Sequence, residues 1–139
     1  MRVQPYLNFN GRCEEALEFY KKAVGAQVQM MMRFKEAPPS TDHKPAPDTE
    51  NKIMHSCMRI GESEVMASDG YCNGATPKFE GISLTLNPTT EPEAQKLFKA
   101  LSTGGQVQVP LTKTFFSPAF GVLTDPFGVT WMVVLEGKK

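Results

Sequence analysis

Apolar and polar residues alternate over Arg2–Phe9. Val3, Leu7 and Phe9 share one parity with Pro5, and Gln4, Tyr6 and Asn8 take the other, the period of a half-buried strand. The period then changes. Cys13, Ala16, Leu17, Tyr20 and Val24 recur at three and four, which predicts a helix over Cys13–Val24, entered through Asn10-Gly11 and stopped at Gly25. Val28 to Phe34 returns to strand composition and is rich in methionine (Met30, Met31, Met32). Ile53–Ile60 and Glu64–Asp69 predict a hairpin across Gly61-Glu62. In its first arm Met54, Met58 and Ile60 oppose His55, Cys57 and Arg59; in its second, Val65 and Ala67 oppose Met66 and Ser68. Asp69-Gly70 ends the run, and Asn73-Gly74 lies in the connector that follows.

The same order then recurs. Phe79–Asn87 reads as a strand in which Ile82, Leu84 and Leu86 alternate against Gly81, Ser83 and Thr85. Pro92 and Glu93 open a helix over Glu91–Ser102, with Ala94, Leu97, Phe98 and Leu101 as its apolar stripe and Gly104-Gly105 as its stop. Val107, Val109 and Leu111 begin a strand, and Phe120–Thr124 and Val129–Leu135 make a hairpin turned by Pro126-Phe127-Gly128. The chain is thus a βαβββ unit written twice. Such a unit cannot bury its own sheet face, so two copies must pair. The expected fold class is α+β, a single domain over 1–139 with modules at about 1–70 and 79–136, whose mixed sheets curl around a pocket.

Glu36 to Asn51 breaks the pattern, with Pro38, Pro39, Pro45 and Pro47 among Ser, Thr and Asp. It can form neither a helix nor a central strand, and a loop of this length is either a functional lid or a plain mobile segment.

Composition narrows the function classes. Formal net charge is +0, with Lys and Arg scattered, so no basic face is set out for nucleic acid. No apolar run approaches the ~20 residues of a membrane span, and Gln4 and Asn8 interrupt any signal-peptide layout. Cys13, Cys57 and Cys72 are odd in number and widely spaced, which suits reduced thiols and a cytoplasmic setting.

Ala16-Leu17-Glu18-Phe19-Tyr20 followed by Gly25, and Asp125-Pro126-Phe127-Gly128 before the last strand, resemble the vicinal oxygen chelate superfamily, the glyoxalase and bleomycin-resistance fold. Pro5-Tyr6, His55, Ser68-Asp69, Thr114-Phe115-Phe116, Phe120-Gly121 and Phe127-Gly128-Val129-Thr130-Trp131 more closely resemble its PhnB-like branch, which carries the label 3-demethylubiquinone-9 3-methyltransferase-like. The resemblance covers nearly the whole chain. It implies helices on the convex faces of the sheets, a pocket on the concave faces and a homodimer. For the metal-dependent members it implies His, Glu or Gln donors on the first and fourth strands of each module. Those slots fall here on Gln4 or Pro5, then Met66, Gly81 and Met132. Two thioethers and a glycine are a poor set for Zn, Fe, Ni or Mn, so no metal and no cofactor are expected. Nor does the methyltransferase label fit: a methyl donor of nucleotide type is held by a Gly-rich strand-to-helix turn, and Asn10-Gly11-Arg12 is too short for one.

The pocket expected from strand parity is lined by Tyr6, His55, Arg59, Met66, Ser68, Thr85, Phe115 and Met132, with Asp69 as a further ligand-binding candidate at the end of its strand and Ile82, Leu84, Leu86 and Trp131 under the helices. His55 reads as a general base or an anion-binding donor, and otherwise as a strand histidine bonded to a neighbour. Cys57, two residues along, lies roughly 7 Å from it, too far for a direct Cys–His pair. Asp69 and Asp125 also suit turns, where a carboxylate accepts backbone N–H bonds. Phe115, Phe116, Phe120 and Tyr6 are either an aromatic wall or core. Three readings of different class follow. The first is a protein that sequesters a small organic molecule, without nucleic-acid or membrane partners. The second is a metal-independent enzyme using His55, with Arg59 or Asp69, on a small organic or anionic substrate. A small interaction domain with a vestigial pocket is the third.

Overall fold

The computed structural model describes residues 1–36, 50–70 and 77–136. Residues 37–49, with His43 and most of the Pro-rich stretch, and residues 71–76, with Cys72 and Asn73-Gly74, lie outside the described residues. The chain divides into two compact units, Met1–Pro77 and Lys78–Lys139.

In the first unit β1 (Tyr6–Asn8), α1 (Cys13–Val24), β2 (Gln27–Arg33), a short 3-10 turn (Phe34–Glu36), β3 (Ile53–Ile60) and β4 (Ser63–Ser68) follow one another. The sheet order is β1-β4-β3-β2, with β1 parallel to β4 and the other pairs antiparallel. In the second unit β5 (Leu84–Leu86), α2 (Glu91–Ser102), β6 (Gln106–Thr112), β7 (Phe120–Thr124) and β8 (Thr130–Val134) give the order β5-β8-β7-β6, with β5 parallel to β8. The two units repeat one topology, the βαβββ repeat expected from the sequence.

Both helices run between the expected residues, and local chemistry explains why. In α1 the residues Cys13, Ala16, Leu17, Tyr20 and Ala23 are buried, and Gly25 closes the helix at a φ of 69°, a left-handed conformation that glycine adopts without strain. In α2 the Thr90 side chain accepts from the Glu93 N–H at 3.3 Å, and Pro92 stands in the first turn, where a missing N–H costs nothing. The buried face of α2 is Ala94, Phe98 and Leu101.

The first strand of each module is shorter than expected. Pro5 has no N–H to offer, so β1 begins at Tyr6, although the Pro5 carbonyl still accepts from Met66. Val3, which shares the parity of the buried Leu7 and Phe9, is 96% exposed. Gly81 sits at a φ of 78°, which interrupts extended backbone, and β5 begins only at Leu84. Ile82, expected under a helix, is 61% exposed. Leu84 and Leu86 do share the helix face, since register sets them beside the buried Trp131 and Val133, but they are only half-buried on their edge strand.

Candidate functional site

Register sorts the first sheet into two faces. Ser56, Met58, Val65 and Ala67 turn toward α1 and are buried, and Cys13 Sγ lies 3.9 Å from Ser56 Oγ. Burial, and next the charge of Asp69, push the Cys13 thiol up to about 12, which marks it as core rather than a nucleophile. The opposite face turns away from α1. On it Tyr6 stands beside Met66, Met66 beside Cys57, and Cys57 beside Met30, while His55 pairs with Met32.

Across that face Tyr6 reaches His55. The phenol oxygen is 3.1 Å from His55 Nδ1, and the rings stack at 5.7 Å between centroids with 28° between planes. One proton occupies the bond. If Tyr6 donates, His55 presents Nε2–H as a donor and the phenol oxygen keeps a lone pair; if Nδ1–H donates, Nε2 accepts and the phenol O–H is released. Either way the pair offers one donor and one acceptor to whatever lies above it. At the sheet edge Glu64 accepts from Gln4 Nε2 at 2.9 Å and from Arg2 at 3.1 Å. Gln4 and Glu64 were not expected to meet; Glu64 flanks the β3–β4 turn, and only the parallel β1–β4 register brings the two side chains together.

Several expected site residues are placed elsewhere. Arg59 is exposed and donates from Nε to the Gly61 carbonyl of its own hairpin at 2.9 Å, so the histidine's partner is Tyr6 rather than Arg59. Asp69 is 1% exposed, with Oδ1 accepting from the N–H groups of Gly11 and Cys13 and Oδ2 from that of Ile53. It is drawn into the fold as the cap of α1, because a buried carboxylate needs donors on both oxygens. Ser68 is 2% exposed, donating to Asn8 Oδ1 at 2.9 Å and accepting from the Gly70 N–H. Phe115, expected to line the pocket, is fully exposed in the loop after β6, its ring edge-on to Phe116 at 5.2 Å, and Phe116 is edge-on to Phe120 at 5.0 Å.

In the second unit Thr85 and Met132 are neighbours in register on the face away from α2, with Val122 beside Met132. Ser83 Oγ lies 3.2 Å from the Met132 sulfur. Trp131 is buried on the helix face as expected, and its Nε1 donates to Asp125 Oδ2 at 2.9 Å.

The metal slots of the superfamily can be tested on these contacts. Gln4 donates its amide N–H to Glu64 and keeps one oxygen donor, Met66 and Met132 offer thioethers, and Gly81 offers no side chain. Among the described residues no group of three or more His, Cys, Asp or Glu is placed to hold an ion. The set does not fit a hard divalent cation. A methyl donor of nucleotide type fits no better. The β1–α1 turn, where its anionic group would rest, already gives the Gly11 and Cys13 N–H groups to Asp69. Among the described residues no helix is long and apolar enough to cross a membrane.

Comparison with known proteins agrees with the architecture. Residues 1–134 match the family described as 3-demethylubiquinone-9 3-methyltransferase. The crystal structure of protein PA1353 from Pseudomonas aeruginosa is 38% identical, covers 99% of each chain and superposes with a TM-score of 0.86. A PhnB protein from Bacillus cereus is 28% identical over 97% of this chain and 99% of its own, with a TM-score of 0.79. A glyoxylase/bleomycin resistance protein/dioxygenase domain from Frankia sp. EAN1pec, 12% identical over 99% of this chain and 93% of its own, has a TM-score of 0.66 and shares the fold alone. With two βαβββ units and a match over nearly its whole length, the chain belongs to the 3-demethylubiquinone-9 3-methyltransferase family, the PhnB-like branch of the glyoxalase/bleomycin-resistance fold.

Proposed function

We propose that this protein binds a small organic molecule on the face of its first sheet opposite α1, held by the Tyr6–His55 pair and seated on the methionines beside it. The observation that carries this reading is the 3.1 Å bond between Tyr6 Oη and His55 Nδ1 on the face turned away from α1. A donor and an acceptor side by side match a carboxylic acid, or a hydroxyl next to a carbonyl. Around them Met30, Met32 and Met66 supply a polarisable, adaptable floor, the kind of surface that accepts planar or irregular apolar groups. Family membership and fold support a small-molecule role of this type.

A second reading uses the same pair for catalysis. A histidine that exchanges a proton with a phenol can take a proton at Nε2 while the phenol gives one back, which is acid–base work without a metal. His55 is the residue with that role, and Tyr6 replaces Arg59 and Asp69 as its partner.

Methionine ε-methyl NMR separates these readings from a vestigial face. Titrating in a fragment library of aromatic carboxylic acids and hydroxyketones is expected to shift the Met30, Met32 and Met66 methyls and to leave the buried Met58 in place. Tyr6→Phe should weaken the best fragment about 5–10-fold, the worth of one hydrogen bond to a partly buried partner. Fragments that shift none of the three surface methyls would remove both readings. If a fragment is chemically converted, and His55→Ala stops conversion while binding persists, the second reading holds.

A further inference from the structure

The face of the first sheet opposite α1 carries sulfur at consecutive places. Register pairs Met30 of β2 with Cys57 of β3, and Cys57 with Met66 of β4. Residues paired in this way project to the same side, with Cβ atoms roughly 4.5–5.5 Å apart in regular register; Met30 follows an irregularity in β2 at which Gln29 is passed over. A thioether, a thiol and a second thioether therefore stand in one row across three neighbouring strands. All are reachable from water: Met30 is 42% exposed, and Cys57 and Met66 are half-buried. Met58, one residue from Cys57 but on the helix face, is by contrast fully buried.

We propose that Met30, Cys57 and Met66 form a binding site for a monovalent thiophilic ion, Cu(I) by chemical class. The same softness that disqualifies these residues for a hard divalent ion suits them to this one. Three sulfurs give a trigonal set. Methionine has three rotatable bonds, so two thioethers separated by a strand can converge on an ion that the central thiolate holds. Only a weak contact restrains that thiol, which donates to Gln29 Oε1 at 3.7 Å. On binding, the Cys57 S–H bond breaks, the proton leaves to water, a sulfur–copper bond forms and Gln29 loses its donor. Copper enters and stays as Cu(I), so no electron moves. His55 and Met32 are the next pair on this face of the same two strands, and His55 is already engaged through Nδ1 with Tyr6. The copper row thus does not use the Tyr6–His55 pair, although it shares Met30 and Met66 with the floor proposed for an organic ligand.

The test is anaerobic titration of the whole chain with Cu(I) against bicinchoninate, with Ag(I) as a redox-inert probe read by methionine ε-methyl NMR. One equivalent of copper should be drawn from the competitor. Cys57→Ser should weaken binding at least about 100-fold, and Met30→Leu and Met66→Leu about 10-fold each, because a thiolate is the stronger soft donor. Cys72→Ser should bind as the unaltered chain does. Ag(I) should move the Met30 and Met66 methyls and leave Met58 in place, a readout that also reports whether each variant is folded. Failure to take copper from the competitor overturns the site. So does a Cys57→Ser/Met66→Leu chain that binds as tightly as the unaltered one.

Discussion

An Asp125→Ala chain unfolds at far lower urea concentration than the unaltered one, with a loss of about 4 kcal/mol. Asp125 is 3% exposed, and its carboxylate accepts from the Phe127 N–H at 2.8 Å, the Val129 N–H at 3.1 Å and the Trp131 indole N–H at 2.9 Å. Alanine leaves these donors buried without an acceptor, and each orphaned group costs about 1–3 kcal/mol. Against the roughly 5–15 kcal/mol that holds a domain together, that is a large share. Asp125→Asn keeps an oxygen for the two backbone donors but turns an amide N–H toward the indole, so about half the loss should remain. The readout is convenient, because Trp131 is the only tryptophan in the chain and lies in the same unit. Its fluorescence followed through a urea titration gives the midpoint, and an alanine chain within about 0.5 kcal/mol of the unaltered one would refute the account.

The second large effect is expected at Gly105. A Cβ built there meets the Thr124 carbonyl oxygen closer than real Cβ atoms come to anything, and lies 2.9 Å from the Asp125 carbonyl carbon. Both obstacles are backbone of the β7–β8 hairpin and cannot step aside without breaking its register. Gly105→Ala should therefore cost about 3 kcal/mol or more, the upper end of what overpacking does. Gly121 is the instructive comparison. Its Cβ would come within 2.5 Å of Phe98 Cε2, the far end of a side chain on α2, and would meet backbone only at the Leu111 Cα, 3.1 Å away. Gly121→Ala should cost about 1–2 kcal/mol, and Phe98→Leu in the same chain should recover part of it by removing the ring edge. The same Phe98→Leu change should not rescue Gly105→Ala. If both glycine variants respond alike, the distinction between a backbone and a side-chain obstacle is wrong.

Much of this architecture was legible in the pattern of residues. A helix writes its period over twelve positions and marks its own ends: Cys13–Val24 and Glu91–Ser102 each had a complete apolar stripe, with Gly25 or Pro92 as punctuation. Gly61-Glu62 likewise announced the β3–β4 hairpin, and Ile60 pairs with Ser63 across it. Short edge strands carry less information. Over Arg2–Phe9 the alternation was real, but Pro5 decided where pairing could start, and over Phe79–Asn87 the backbone angle of Gly81 did the same. The site was legible as faces rather than as contacts. Parity alone put His55, Cys57 and Arg59 together and set Met66 apart from Ala67. Which residue meets His55 depends on how β1 registers against β4, a choice made by long-range pairing that no local pattern records. Asp69 shows the same limit from the other side. Its place at a strand end suggested a turn, and its donors proved to be the start of a helix and of another strand.

The two carboxylate clasps differ in how much chain each must gather. Asp125 binds partners 2, 4 and 6 residues away, whereas Asp69 binds partners 58, 56 and 16 residues away. The entropy of closing a loop grows with the logarithm of its length, so bringing Asp69 to Cys13 costs about 2 kcal/mol more than bringing Asp125 to Val129. During synthesis, the clasp of the second module is complete within a few residues of its aspartate. The first helix, in contrast, leaves the ribosome with its leading N–H groups facing only water, and waits for most of its module to be made before its cap exists. Two halves alike in final form are thus assembled on different schedules.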